Sequence, residues 1–251
     1  MHIIRSEKMC TDAFFVRYTM KKLITYFSRG ELLLWGFSAA AVVTAFLMFD
    51  RNNWLTLAAS LIGVTSLIFA AKGHPAAQAM AIIFAVLYGV ISWQCRYYGE
   101  MITYMFMSLP MAAFSLVSWL RNPSENKNEV RVNHLNPAEY AILAGLTVIV
   151  TVAFFFILRF FNTANLIPST ISVATSFIAV YFVFRRSPLY AVGYAANDMV
   201  LLVLWTLASM EDIRYVSVLV CFAAFLVNDL YGFFNWRRMA QRQSSCQGAG
   251  P

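Results

Sequence analysis

The chain has 251 residues, 60% of them hydrophobic and 12% charged, with 19 Lys and Arg against 12 Asp and Glu for a net charge of +7. A water-soluble domain carries roughly 25% charged residues, and a disordered chain is poor in aromatic and branched apolar side chains. Here 16% of residues are Phe, Tyr or Trp and the mean hydropathy is +0.64. Both classes are excluded, and an all-α polytopic membrane protein remains.

Residues 1–30 read as a cytoplasmic N-terminal segment with little pattern, within which Met20-Lys21-Lys22 offers a second start. The first apolar run is too long for a cleavable leader and no cleavage site follows it. A crossing helix needs ~20 mostly apolar residues, and lipid forbids unpaired backbone. Eight runs satisfy this: Glu31–Phe49, Trp54–Ala71, Ala76–Trp93, Met101–Leu120, Glu139–Phe161, Ile167–Phe184, Leu189–Ala208 and Arg214–Trp236. The short alternating segments of a β-barrel are absent.

Several starts are marked by chemistry. Asn136-Pro137-Ala138-Glu139 supplies an N-cap, a Pro at the first helical position and a Glu at the third, which is a capping box. Pro75, Pro168 and Pro188 also lie near helix starts, whereas Pro110 falls inside the fourth span and predicts a kink there.

Charge then orients the spans. With the N-terminus inside, the inner side holds Arg5, Lys8, Arg17, Lys21, Lys22, Arg29, Lys72, Arg121, Lys127, Arg131, Arg185, Arg186, Arg237, Arg238 and Arg242. The outer side, or the span ends nearest it, holds only Arg51, Arg96, Arg159 and Arg214. Lys and Arg collect in cytoplasmic loops, so the sequence predicts an inner cell membrane protein with both termini and the tail 237–251 cytoplasmic. The positive charge is thereby explained as orientation, not nucleic-acid binding. Cys10, Cys95, Cys221 and Cys246 show no C-x-x-C or His pairing, and His2, His74 and His134 lie outside the spans. No metal site, cofactor motif or catalytic signature is read.

Spans two to four and six to eight resemble one another. Lys72-Gly73-His74-Pro75 and Arg185-Arg186-Ser187-Pro188 occupy equivalent turns, and each following span ends near a Trp, Trp93 or Trp205. Short outer loops follow, with Glu100 before Tyr104 and Asp212 before Tyr215, and the third spans end in Trp119-Leu120-Arg121 and Trp236-Arg237-Arg238. Within a transmembrane domain of 31–236, this predicts two parallel three-helix repeats (about 54–120 and 167–236), a connecting helix 139–161 and an extra first helix, a 1 + 3 + 1 + 3 order.

Only Asp198 and Asp229 stand as ionisable residues well inside a span, each preceded by Asn (Asn197 and Asn228). A mid-membrane carboxylate costs roughly 2.5–3.5 kcal/mol on the insertion scale, so both should face the bundle interior. Tyr194, Asn197 and Trp205 share a stripe on the seventh span, Asn228 and Asp229 one on the eighth, Tyr104 lies on the fourth and Tyr88 on the third. Aromatic faces, amides and carboxylates together suit a flat, cationic, hydroxyl-bearing solute. The competing expectation is that Asn and Asp merely tie helices together. Trp35, Trp54, Trp93, Trp119 and Trp236 sit at span ends and read as interface-belt anchors.

The layout resembles the PnuC family of vitamin transporters, itself related to the SWEET fold, over about Lys21 to Arg242. Tyr98-Gly99-Glu100 followed by Leu109-Pro110-Met111 and Trp119 is similar to that family's Tyr-Gly-acid turn, Pro-Met and Trp. Asn197-Asp198 with Leu207 and Glu211, and the basic Trp-terminated eighth span, carry the rest. The resemblance implies uptake of nicotinamide riboside by facilitated diffusion, trapping by a cytoplasmic kinase, and a homo-oligomer. One departure bears on the substrate: many members place Trp-x-x-Trp where Glu211-Asp212-Ile213-Arg214-Tyr215 stands, and Asn arrives only at Asn228. Thiamine or riboflavin therefore stays open as the substrate, and a membrane-embedded enzyme or a non-transporting receptor subunit as the other class.

Overall fold

The computed structural model describes residues 26–94, 97–125, 129–163 and 165–248. The expectations placed on residues 1–25, including the start at Met20, and on Cys10, Cys95 and Arg96 lie outside the described residues, as does the side chain of Cys246. Contacts divide the chain into a unit ending at Phe37 and one beginning at Ser38. In the first, Ser28 Oγ accepts from the Glu31 N–H at 3.2 Å and Glu31 Oε2 accepts from the Ser28 N–H at 2.6 Å, closing the start of the first helix with a reciprocal cap.

Among the described residues, eight helices are long and apolar enough to cross a membrane. They are α1 (Arg29–Phe49), α2 (Trp54–Ala71), α3 (Ala76–Gln94), α4 (Tyr98–Arg121), α5 (Pro137–Phe160), α6 (Leu166–Phe184), α7 (Tyr190–Glu211) and α8 (Val216–Gly248), the last preceded by a 3-10 turn at Ile213–Tyr215. The capping box expected at α5 is present, with both Asn136–Glu139 hydrogen bonds at 2.9 Å. α8 runs well past Trp236 because its polar end is fastened. Gln243 accepts from the Val132 N–H at 2.8 Å and donates to Val130 O at 3.1 Å, and Arg242 pairs with Glu129 at 3.6 Å.

The irregularity expected at Pro110 falls one turn earlier. Residues Tyr104–Ser108 form a π-helical turn, and the Leu109 N–H reaches back to Tyr104 O. Proline lacks an N–H and its ring crowds the preceding turn; a π turn widens the helix just where that crowding would fall.

In the second unit α2, α3 and α4 pack in succession, as do α6, α7 and α8. The third helix of each trio lies on the first of the other, α4 on α6 and α8 on α2, while α5 packs on α6. The α6–α7 contact is close enough that a Cβ at Gly193 would lie 2.9 Å from the Ala179 Cα. The free face of α5 exposes Val148, Ile149, Val152, Phe156 and Phe160, as lipid contact requires.

At the basic end the trios are tied by matching bonds. Trp119 Nε1 donates to Val183 O at 2.9 Å and Trp236 Nε1 to Ala70 O at 2.8 Å. Beside them Ser118 Oγ donates to Phe184 O at 3.0 Å and Asn235 Nδ2 to Ala71 O at 2.7 Å. The two indoles meet at 5.6 Å between centroids. This corrects the belt reading for Trp119 and Trp236: both are fully buried, whereas Trp35, Trp54 and Trp93 are exposed. Position at a span end does not reveal whether an indole faces lipid or a neighbouring helix.

Candidate solute-binding site

Between the two trios lies a cavity of about 100 Å³, lined by all six of their helices. From α7 come Tyr190, Tyr194, Asn197 and Asp198; α8 supplies Phe222, Phe225 and Asp229; α4 supplies Tyr104 and Ser108; α3 supplies Gln78 and Phe84; α2 supplies Gly63 and Ser66; α6 supplies Ser176. Among the described residues no Lys, Arg or His lines it.

Helical periodicity explains the placement. Tyr190, Tyr194, Asn197 and Asp198 recur every three or four residues, so α7 presents them on one side. Asn197 Oδ1 accepts from Thr175 Oγ1 and Ser176 Oγ, both at 2.9 Å. Those hydroxyls occupy the carbonyl side of the amide and leave its nitrogen as the donor for other groups. Asp198 and Asp229 are each 3% exposed and both line the cavity. Among the described residues Asp198 Oδ2 has no hydrogen-bond partner.

Of the eight side chains proposed from sequence, Asp198, Asn197, Tyr194, Asp229 and Tyr104 line this cavity. Tyr88, Trp205 and Asn228 do not. Tyr88 stands behind Tyr104, 4.4 Å between ring centroids. Trp205 is fully buried among Tyr88, Tyr97 and Tyr215. Asn228 donates to Ser38 Oγ and Ala224 O, each at 2.8 Å.

Sequence reasoning missed the α6 contribution, although Ser169, Ser172 and Ser176 recur at helical spacing on that span. It also put Glu100 in an outer loop. Glu100 instead lies in the first turn of α4, 3% exposed, with one oxygen unpartnered among the described residues. A carboxylate next to Gly reads as a loop, and only packing reveals that the helix has already begun.

A family model described as nicotinamide mononucleotide transporter matches residues 53–238, which includes every element of both trios up to the Trp236 anchor. The chain belongs to this family of membrane transporters. Its enzyme alternative is thereby set aside. Two relatives named nicotinamide riboside transporter PnuC are similar to it. The one from Neisseria mucosa is 22% identical over 227 residues, 88% of this chain and 84% of the relative. The one from Haemophilus influenzae is 22% identical over 197 residues, 76% and 82% respectively. The fold is shared with the crystal structure of the vitamin B3 transporter PnuC, at a TM-score of 0.76, 19% identity, and coverage of 86% of this chain and 94% of that one.

Proposed function

We propose that this family member carries nicotinamide riboside across the inner cell membrane by facilitated diffusion, using the cavity between the trios. One observation carries the choice of substrate: the lining has two carboxyl groups and, among the described residues, no cation. A pyridinium nucleoside gains a counter-ion and aromatic faces there. A nucleotide would bring a phosphate with nothing to pair it, at a cost of several kcal/mol. Riboflavin, being uncharged, forms no ion pair with the carboxyl groups, and thiamine, a cation, is the competitor to test.

Asp198 and Asp229 serve as counter-ions, Tyr104 and Tyr194 as ring platforms, and Asn197 as a ribose hydroxyl donor. Tyr88, Trp205 and Asn228 support them from behind. The cavity is well below the ~300 Å³ floor of small-molecule pockets, so the lining must open to admit a nucleoside. Rocking one trio against the other, as two parallel repeats, supplies that motion. The basic end faces the cytoplasm, both termini lie there, and a kinase traps the product.

Counterflow in proteoliposomes with nicotinamide riboside, its mononucleotide, thiamine and riboflavin tests this. Exchange of the riboside above the other three is expected. Exchange of the mononucleotide alone, or of none, overturns it.

A further inference from the structure

We propose that the turn between α6 and α7 forms a binding site for the phosphodiester headgroup of an anionic phospholipid, with Arg186 and Arg131 as its cationic wall. The site lies at the basic end of the bundle, away from the cavity, and is independent of the solute carried.

The ground for it is an arginine where the fold needs none. The turns after α2 and α6 correspond. Lys72 and Arg185 follow the helices, and Gly73 and Arg186 come next, each offering its carbonyl to the loop before α5, to the N–H of Val130 and of Asn133 respectively. Both residues stand in the left-handed region, Gly73 at φ 66° and Arg186 at φ 55°. Glycine adopts that conformation freely, whereas a residue with a Cβ is strained there, and strain of this kind collects where a side chain has a task.

That side chain is anchored but not neutralised. Arg186 Nε donates to Arg131 O at 3.1 Å and Nη1 to Ser118 Oγ at 2.8 Å, while the Nη2 donors reach no described residue. Arg185 is paired with Glu139, but among the described residues neither Arg186 nor Arg131 has an acid. Partial burial, and then the charges of Arg185 and Arg131, hold the Arg186 guanidinium below its ordinary pKa. An anion set against Nη2 and the exposed Arg131 relieves that repulsion and takes up the spare donors. Phosphate oxygens match the fork of a guanidinium.

The apolar surface beside the arginines makes the phosphate a lipid's. Ser118 of α4 also donates to Phe184 O at the end of α6. α5 borders the same helix end through Tyr140 against Phe182 and Glu139 against Arg185. Running away from this end, Leu120, Val117 and Phe114 of α4 are exposed, as is Tyr140 of α5, a surface for acyl chains next to the headgroup. Soluble phosphate gains nothing from it. A zwitterionic headgroup would bring an ammonium toward the same arginines, so the occupant is an anionic lipid.

Native mass spectrometry of the purified full chain in detergent, titrated with phosphatidylglycerol or phosphatidylcholine of identical acyl chains, reads bound lipid directly. Retention of phosphatidylglycerol roughly tenfold above phosphatidylcholine is expected. Arg131→Gln should weaken phosphatidylglycerol about fivefold, the size of one Arg at an anionic surface. Its contact with Arg186 runs through the backbone carbonyl and is kept, so a merely structural role would leave binding unchanged. Arg186→Gly copies the Gly73 turn and should abolish the preference while the chain still folds. Equal retention of the two lipids, or a preference untouched by both variants, overturns the proposal. Displacement of phosphatidylglycerol by inorganic phosphate at equal concentration also overturns it, since the site would then be one for soluble phosphate.

Discussion

The two trios are alike where they hold each other and unlike where they meet the cavity. At the basic end the correspondence is close: Trp119 and Trp236 each cap a carbonyl at the end of the other trio's first helix, and Ser118 and Asn235 take the next carbonyl along. The loops extend it, since the Val130 N–H donates to Gly73 O at 2.9 Å and the Asn133 N–H to Arg186 O at 3.0 Å. In the cavity the match ends. The first trio contributes Phe84, Gln78, Tyr104 and Ser108, all uncharged, and the second contributes Asn197, Asp198 and Asp229. Helix ends need their last carbonyls satisfied in both trios, and an indole N–H does that in each. A nucleoside has a ring at one end and a sugar at the other, so a lining with twofold symmetry would fit it poorly.

The strongest test of that contrast is Asp198→Ala. Removing the counter-ion of a buried cation costs about 2–5 kcal/mol, so riboside affinity should fall roughly 30-fold or more while expression persists. Uptake unchanged from the parent chain would remove Asp198 from the site. The mirror change on the first trio, Tyr104→Phe, should cost little, because the ring remains; a loss as large as that of Asp198→Ala would mean that the charge asymmetry is not what selects the solute.

The likeness at the basic end is tested by Trp119→Phe and Trp236→Phe. Each leaves a buried carbonyl without its donor, a penalty of ~1–3 kcal/mol, and the two should lower the melting temperature by similar amounts. Strongly unequal shifts would break the comparison. Gly193→Ala probes the α6–α7 contact alone: its Cβ meets Ala179 backbone, and overpacking of this kind costs roughly 1–3 kcal/mol. The added methyl cannot be accommodated by a side-chain rotation, so thermal stability should drop even with substrate present.

The smallest expected effect concerns the turn between α2 and α3. His74 Nδ1 accepts from the Ala76 N–H at 3.1 Å, which requires that nitrogen to be unprotonated, and partial burial holds the imidazole below its ordinary value of 6.5. The unfolded chain therefore takes up the proton first. The stabilisation is complete above that value and fades as pH falls through it toward the folded-state value. His74→Asn, which offers an acceptor that does not titrate, should flatten the acid side of the stability profile.

The π turn before Pro110 shows where legibility in the sequence stopped. Proline announced a break, but whether the helix would bend, unwind or widen depends on what lies beside it. The result puts Tyr104 and Ser108 at the two ends of the widened turn, both on the cavity. The α6 hydroxyls were equally visible as letters, yet they matter only because Asn197 lies across from them. Glu100 was misread for a similar reason: its burial comes from neighbours distant in sequence.

The sequence by itself determined the number of helices, most of their ends and the two mid-membrane acids. Hydrocarbon thickness, backbone satisfaction and the cost of charge are local rules that act on any chain crossing a bilayer. Only the tertiary structure decided which Trp face lipid and which join the trios. It alone set Asp198 and Asp229 on one cavity, and gave Asn197 its hydroxyl partners. These are contacts between helices, and periodicity along a helix specifies a face without specifying what that face will meet.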